Sequence, residues 1–218
     1  MLDLSFEGII TRAVVFLIAM VVHEFAHAYV AYLMGDPTAK EQGRMTLDPR
    51  ANINVPGYIM GVIIGFGFLG SAPVNPYRMR DPRWGMFAAV LAGPVSNLIL
   101  AAIFALPFAL KVVPVSFFAT SITGLPSPAN VMYFMVFFNV LLFVFNMLPL
   151  SPLDGWTIVL AALPPNLAAT WQRYQKESMY AFYGLIFLSF MPIGGLDILG
   201  ILIWEPTITM TSFLMGGL

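Results

Sequence analysis

Apolar and polar positions fall in long blocks along this chain. Residues 8–34 are almost wholly apolar and, as a helix rising about 1.5 Å per residue, long enough to cross a bilayer with some tilt. Gly35-Asp36-Pro37 ends the block. The next stretch, 38–54, is the most polar of the chain, and within it Arg44-Met45-Thr46-Leu47-Asp48 alternates like a short strand closed by Pro49. Residues 55–70 are apolar again but only about as long as a minimal span, so the pattern predicts either a crossing or a re-entrant segment. Gly57, Gly61 and Gly65 recur there at a spacing that suits close helix packing or a gate. A loop over 71–83, with Pro73, Pro76, Arg78, Arg80 and Arg83, leads into a second long helix over 84–112. An uncharged loop over 114–128 precedes a third strong span over 129–150. Beyond it the pattern predicts a short apolar helix over 157–163, a break at Pro164-Pro165 and an amphipathic surface helix over 166–177. Two further apolar segments follow, 178–191 and 196–214, divided by Pro192-Ile193-Gly194-Gly195. The expected fold is an all-α polytopic membrane protein: a bundle of about 5–6 transmembrane helices with a short β-strand or re-entrant region after the first.

Composition agrees. Of 218 residues 59% are hydrophobic and 10% charged, against about 25% charged in a soluble domain, and mean hydropathy is +0.84. The formal net charge of −1 offers no basic face to nucleic acid. The N-terminal apolar stretch lacks a small-residue cleavage site and is read as retained. Loop charge suggests an orientation. Lys40, Arg44 and Arg50 follow the first helix, Arg78, Arg80 and Arg83 follow segment 55–70, and Arg173 with Lys176 precede the fifth. If 55–70 re-enters, every arginine-bearing loop falls on one side, expected to be cytoplasmic. Arg12, near the other end of the first helix, runs against that rule.

The chemistry sits inside the first block, as His23-Glu24-Phe25-Ala26-His27. The chain has 2 histidines and both are here. On a helix, residues four apart share a face, so two imidazoles can bind one zinc ion with Glu24 beside them as the base for a water molecule. A histidine pair on a solvated helix face is the ordinary alternative, but ionisable groups among apolar flanks at membrane depth usually mark a site. A catalytic zinc takes a third protein ligand. Cysteine is absent and no other histidine exists, which leaves the 11 acidic residues. Asp154 is the strongest candidate: it follows a complete apolar span, the prolines before it hold the backbone out of a helix, and Gly155 permits a tight bend. Asp154 also suits the N-cap of the helix that begins near Trp156, and both roles stand open.

These residues resemble the site-2 protease family of intramembrane zinc metalloproteases. Its two hallmarks, H-E-x-x-H in one transmembrane helix and an N-x-x-P segment running to L-D-G at the end of another, stand here as His23 to His27 and as Asn146-Met147-Leu148-Pro149-Leu150-Ser151-Pro152-Leu153-Asp154-Gly155. The likeness includes Gly43-Arg44-Met45-Thr46-Leu47-Asp48-Pro49, where the family often has asparagine at the position of Asp48, and Ala92-Gly93-Pro94-Val95-Ser96-Asn97. It covers about residues 14–156 in order. The resemblance implies one Zn2+ held by His23, His27 and Asp154, with Glu24 as catalytic acid/base. It implies a single transmembrane peptidase domain over 1–218, its catalytic core over 8–156 and C-terminal helices over 157–218, with none of the PDZ or CBS domains that some members carry. Asn146 is the candidate donor to the oxyanion, an interhelical hydrogen bond being the alternative. Asn97 is a weaker candidate, with helix packing the competing role.

The expected function is an intramembrane zinc endopeptidase cutting single-span membrane proteins within the lipid bilayer of a prokaryotic cell membrane, near the cytoplasmic side. A substrate helix must unwind before a carbonyl can be reached, and residues 44–48 or 51–54 are the expected edge for the extended chain. A membrane metal-ion transporter or channel using the same residues as a transit site is the alternative, and an inactive binding scaffold the third.

Overall fold

A computed structural model describes residues 5–64, 70, 72–114, 126–189, 198 and 200–217. The first apolar block is one helix, α1 (Phe6–Leu33), with Ser5 as its cap accepting from the Gly8 amide. Two short helices follow, α2 (Thr38–Glu41) and α3 (Pro49–Asn52), then α4 (Val55–Ile64). After a 3-10 turn at Pro76–Arg78 comes α5 (Pro82–Ala109), where Asp81 accepts from the amides of Arg83 and Trp84. The remaining elements are α6 (Pro128–Asn146), α7 (Asp154–Ala162), α8 (Pro165–Arg173), α9 (Gln175–Ser189), a π-helical turn at Gly200–Trp204 and α10 (Glu205–Leu214).

Three of the described helices, α1, α5 and α6, are long and apolar enough to cross a membrane. These three are among the spans, about 5–6 in number, expected from the hydropathy pattern. Among the described residues α9 has 15, and α10 has 10 and continues directly from the π-helical turn. Helix α5 packs against α1 on one side and α6 on the other, and α7 lies on α5. Val15, Phe16, Ala19 and Met20 of α1 form the main core with Met135, Phe138, Leu142 and Phe145 of α6 and Phe182 of α9. Ala101, Ala105 and Phe108 of α5 meet Val136 and Val140 of α6 in a second cluster. The amphipathic stretch is α8, and it buries no residue, as a surface helix should.

The strand expected over 44–48 is absent, and the described residues contain no strand at all. Local side-chain bonds take up the backbone groups that a ladder would need. The Thr46 hydroxyl accepts from the Asp48 amide at 3.1 Å, Asp48 caps α3 through the Arg50 amide, and Asn52 Nδ2 donates to the carbonyls of Arg44 at 2.9 Å and Thr46 at 3.3 Å. Polar alternation here reflects a folded-back loop.

Helix α4 has 10 residues and is about 15 Å long. The chain leaves for it just after Asn52 and is back beside Asn52 at Gly70, where a Cβ would collide with the Asn52 carbonyl. Gly65 and the linker over 192–195 lie outside the described residues. Two bonds tie α4 to α1: Tyr58 Oη to the Ala13 carbonyl at 2.7 Å, and Arg12 Nε to the Val62 carbonyl at 2.6 Å. Arg12 is buried, and its cation meets the Val62 carbonyl in the last turn of α4, at the negative end of that helix. A tertiary contact thus accounts for the one arginine that ran against the loop-charge rule.

Candidate metal centre

Residues 23 and 27 lie one turn apart on α1, and the two imidazoles meet edge to face, 4.5 Å between ring centroids. Their Nε2 atoms are 2.9 Å apart. Asp154 Oδ2 stands 3.2 Å from His23 Nε2 and 3.4 Å from His27 Nε2. Zinc bound to nitrogen or oxygen at about 2.0–2.1 Å in a tetrahedron requires ligand atoms about 3.3 Å from one another. The three separations match the edges of one face of that tetrahedron.

The other ring nitrogens make the case on chemical grounds. His27 Nδ1 lies 2.8 Å from the Ala89 carbonyl, which can only accept, so Nδ1 carries the proton. His23 Nδ1 lies 2.7 Å from Asn97 Oδ1, and the Asn97 amide nitrogen is already donating to the Ala19 carbonyl and to Asn139 Oδ1. That nitrogen is protonated too. In the neutral rings both Nε2 atoms therefore present lone pairs to each other and to a carboxylate oxygen that is buried with no hydrogen-bond donor. Three converging donor atoms of this kind fit a cation.

Asp154 reaches the pair because of how α7 begins. Leu153 is the capping residue and Asp154 the first of the helix, and no side chain caps it, so the capping role weighed for Asp154 is not the one it plays. The preceding turn is held by the Leu153 amide on the Leu150 carbonyl at 2.8 Å and by the Ser151 amide on Ser178 Oγ at 3.0 Å. Gly155 works through close approach: a Cβ there would stand 2.6 Å from the Met147 carbonyl oxygen and nearer still to that of Leu148. The expected tight bend is instead the start of a helix pressed onto the end of α6.

Glu24 is 5% exposed, and its Oε2 accepts from the Ala72 amide at 2.6 Å. With the two histidines and Asp154 it borders a cavity of about 600 Å³ whose walls include Met20, Val90 and Phe145. Asn146 also lines this cavity, and among the described residues its amide makes no hydrogen bond, so the interhelical bond offered as its alternative is not formed. Asn97 is fully buried, with its amide consumed by His23, Ala19 and Asn139, which rules out donation to a substrate oxyanion. Neither 44–48 nor 51–54 borders the cavity; Ala72, Pro73 and Val74 do.

Three contributors were missed by sequence reasoning. Gly93 abuts both imidazoles. Asn139 anchors Asn97, and an amide in the middle of an apolar span was a signal available to read. Ala72 left no mark in the pattern, because it acts through its backbone.

The model of peptidase family M50 matches residues 11–191. The chain is 40% identical over 179 residues to "Putative zinc metalloprotease YwhC" of Bacillus subtilis, covering 82% of this chain and 79% of the relative. It is 29% identical over 195 residues to "Putative zinc metalloprotease Rip2" of Mycobacterium tuberculosis, covering 85% of this chain and 70% of the relative. No solved structure matches.

Proposed function

Since the chain belongs to peptidase family M50 and is a zinc metalloprotease, we propose that it cuts peptide bonds in or near the transmembrane helices of single-span membrane proteins. The observation that carries this reading is the three-atom cluster of His23, His27 and Asp154 beside Glu24, with both histidines and Glu24 on α1, a helix long enough to cross a bilayer, and Asp154 at the start of the short helix α7. His23 Nε2, His27 Nε2 and Asp154 Oδ2 are the proposed zinc ligands. Zinc, when bound, supplies Lewis-acid polarisation of the scissile carbonyl and acidifies a water. Glu24 would accept a proton at its carboxylate from the attacking water and pass it to the amine nitrogen as the scissile C–N bond breaks. The Ala72 amide holds one Glu24 oxygen, which leaves the other to exchange the proton. Asn146, at the cavity wall and without a side-chain partner among the described residues, is the proposed donor to the developing oxyanion.

An unwound substrate has to satisfy its own backbone groups. Segment 72–75, outside any helix, offers an edge for it beside Glu24, and the Val74 amide has no partner among the described residues. Segment 55–70 starts and returns at Asn52, which supports a re-entrant path and, by loop charge, a centre near the cytoplasmic side of a prokaryotic cell membrane. The transporter alternative is not favoured: on the N-terminal side of His23, α1 is closed in by Val15, Phe16, Ala19 and Met20, packed in apolar contact.

The direct test is Glu24→Gln in the full chain with a model single-span substrate. Zinc content is expected to stay near one per chain while cleavage falls by a factor on the order of 100–10,000, the usual share of a general base. Cleavage at the wild-type rate would remove Glu24 from the mechanism.

A further inference from the structure

We propose that Asn139 is a positioning residue for the metal centre: acting through Asn97, it sets which nitrogen of His23 carries the proton and so keeps the Nε2 lone pair aimed at the metal position. The inference rests on reading His23 as a ligand.

Asn97 on α5 and Asn139 on α6 are both fully buried, in helices long enough to span the membrane. Polar amides at such depth are costly unless fully bonded. Here the bonds form a chain with one direction. Asn139 Nδ2 donates to the Met135 carbonyl at 2.8 Å, which fixes Asn139 Oδ1 as the end that faces Asn97. Asn97 Nδ2 donates to that oxygen at 2.9 Å and to the Ala19 carbonyl at 3.2 Å, which turns Asn97 Oδ1 toward His23 Nδ1 at 2.7 Å. An oxygen at that point demands N–H on Nδ1 and leaves Nε2 unprotonated.

The Asn97 amide could in principle flip by half a turn. Its nitrogen would then face His23 Nδ1 and favour the opposite tautomer, with the proton on Nε2 where the metal belongs. The flip would press Asn97 Oδ1 against two further acceptors, the Ala19 carbonyl and Asn139 Oδ1. Ala19 supplies one of these barriers from α1 and Asn139 the other from α6. Without Asn139 the wrong orientation meets only one acceptor, and the right one leaves an amide hydrogen unpaired. Three helices therefore converge on a single proton position.

The test uses the full chain in lipid bilayers, wild type against Asn139→Leu, with Asn139→Asp as the conservative variant. Asn139→Asp keeps an acceptor oxygen for the Asn97 amide. Zinc affinity is read by competition with a chelator. Ring tautomers are read by 15N NMR of histidine-labelled, metal-stripped protein at alkaline pH, where only 2 rings contribute. The expected result is a zinc affinity about 10–100-fold weaker in Asn139→Leu, the usual cost of losing an outer partner. His23 should show a share of the Nε2–H form in that variant, and Asn139→Asp should lie close to wild type in both readouts. Should Asn139→Leu fail to insert, Asn139→Ala gives the same two measurements. A wild-type tautomer in Asn139→Leu, or in Asn139→Ala where that replaces it, overturns the proposal, whether or not zinc affinity drops, because a loss of packing alone would not move the proton. Failure of the underlying reading looks different: His23→Ala would then bind zinc as tightly as wild type.

Discussion

Gly93 of α5 lies so close to His27 of α1 that a single added carbon would overlap the imidazole Cε1 and Nε2 and stand 2.8 Å from His23 Cε1. The helices meet at the two rings, and the missing side chain makes room for them. Gly93→Ala should therefore separate helix stability from metal binding. Alanine is the better helix former by about 1 kcal/mol, so α5 should still form, but both rings must move. Zinc affinity is expected to fall by at least about 10–100-fold, as for lost ligand support, with helicity by circular dichroism unchanged. Stoichiometric zinc in Gly93→Ala would contradict the packing described.

Gly155→Ala strikes the same centre from the opposite side. Its Cβ would push α7 off the carbonyls of Met147 and Leu148 and carry Asp154 away from the histidines. Overpacking of this sort costs about 1–3 kcal/mol. The expected signature is a lower unfolding temperature together with weakened zinc, measured on the same preparation; a stable variant with normal zinc affinity would refute it.

Asn146→Ala should leave zinc content untouched, because Asn146 has no bond to the proposed ligands among the described residues. If its amide meets the oxyanion, kcat falls by a factor on the order of 100–1,000 with little change in KM. A rise in KM alone would assign it to substrate binding.

Proline scanning distinguishes the two proposed edges. Val74→Pro removes an amide hydrogen that no described residue uses, so the fold should tolerate it while substrate pairing does not. A drop in kcat/KM of about 10-fold or more, with zinc retained, is expected there, since one backbone hydrogen bond is worth about 0.5–1.5 kcal/mol and register is lost with it. Substitution at Thr46, away from the cavity, should leave the rate within about 3-fold if the 72–75 edge is the one used. The reverse order of effects would restore 44–48 as the edge.

The polar face has its own pH response. Arg78 Nη2 donates to Glu41 Oε1 at 2.8 Å, and that hydrogen bond holds the Glu41 carboxyl below its ordinary range. The pair's contribution is whole above the ordinary carboxylate pKa and is lost as pH falls through the lowered folded value. Limited proteolysis of loop 71–83 should accelerate only in that acid window, and Glu41→Gln should flatten the dependence. An equal acceleration in Glu41→Gln would trace it to another group.

Some features were legible in the chain because they are local. His23, Glu24 and His27 share one helix, so a four-residue spacing is enough to place both imidazoles on one side. Long apolar blocks had no soluble fold open to them, and α1, α5 and α6 lie where those blocks run. Elimination reached only a carboxylate as third ligand; Asp154 stood out by its place after an apolar span, and its distance from the histidines was not legible. Pattern misled where side-chain bonds outcompeted it: Asn52 and Asp48 turned an alternating stretch into a loop by local bonds, and Arg12 answered to a helix end 50 positions away instead of a membrane side. Packing between helices settled the rest. The direction of the Asn97 and Asn139 amides, the space at Gly93 and Gly155 and the amide of Ala72 each depend on an atom at least 42 positions away in the chain or on a backbone group that any residue carries. One-dimensional order records which donors and acceptors exist. Only the folded bundle decides which of them face one another, because donors and acceptors far apart in the chain, such as Asn97, Asn139 and His23, meet only where helices pack.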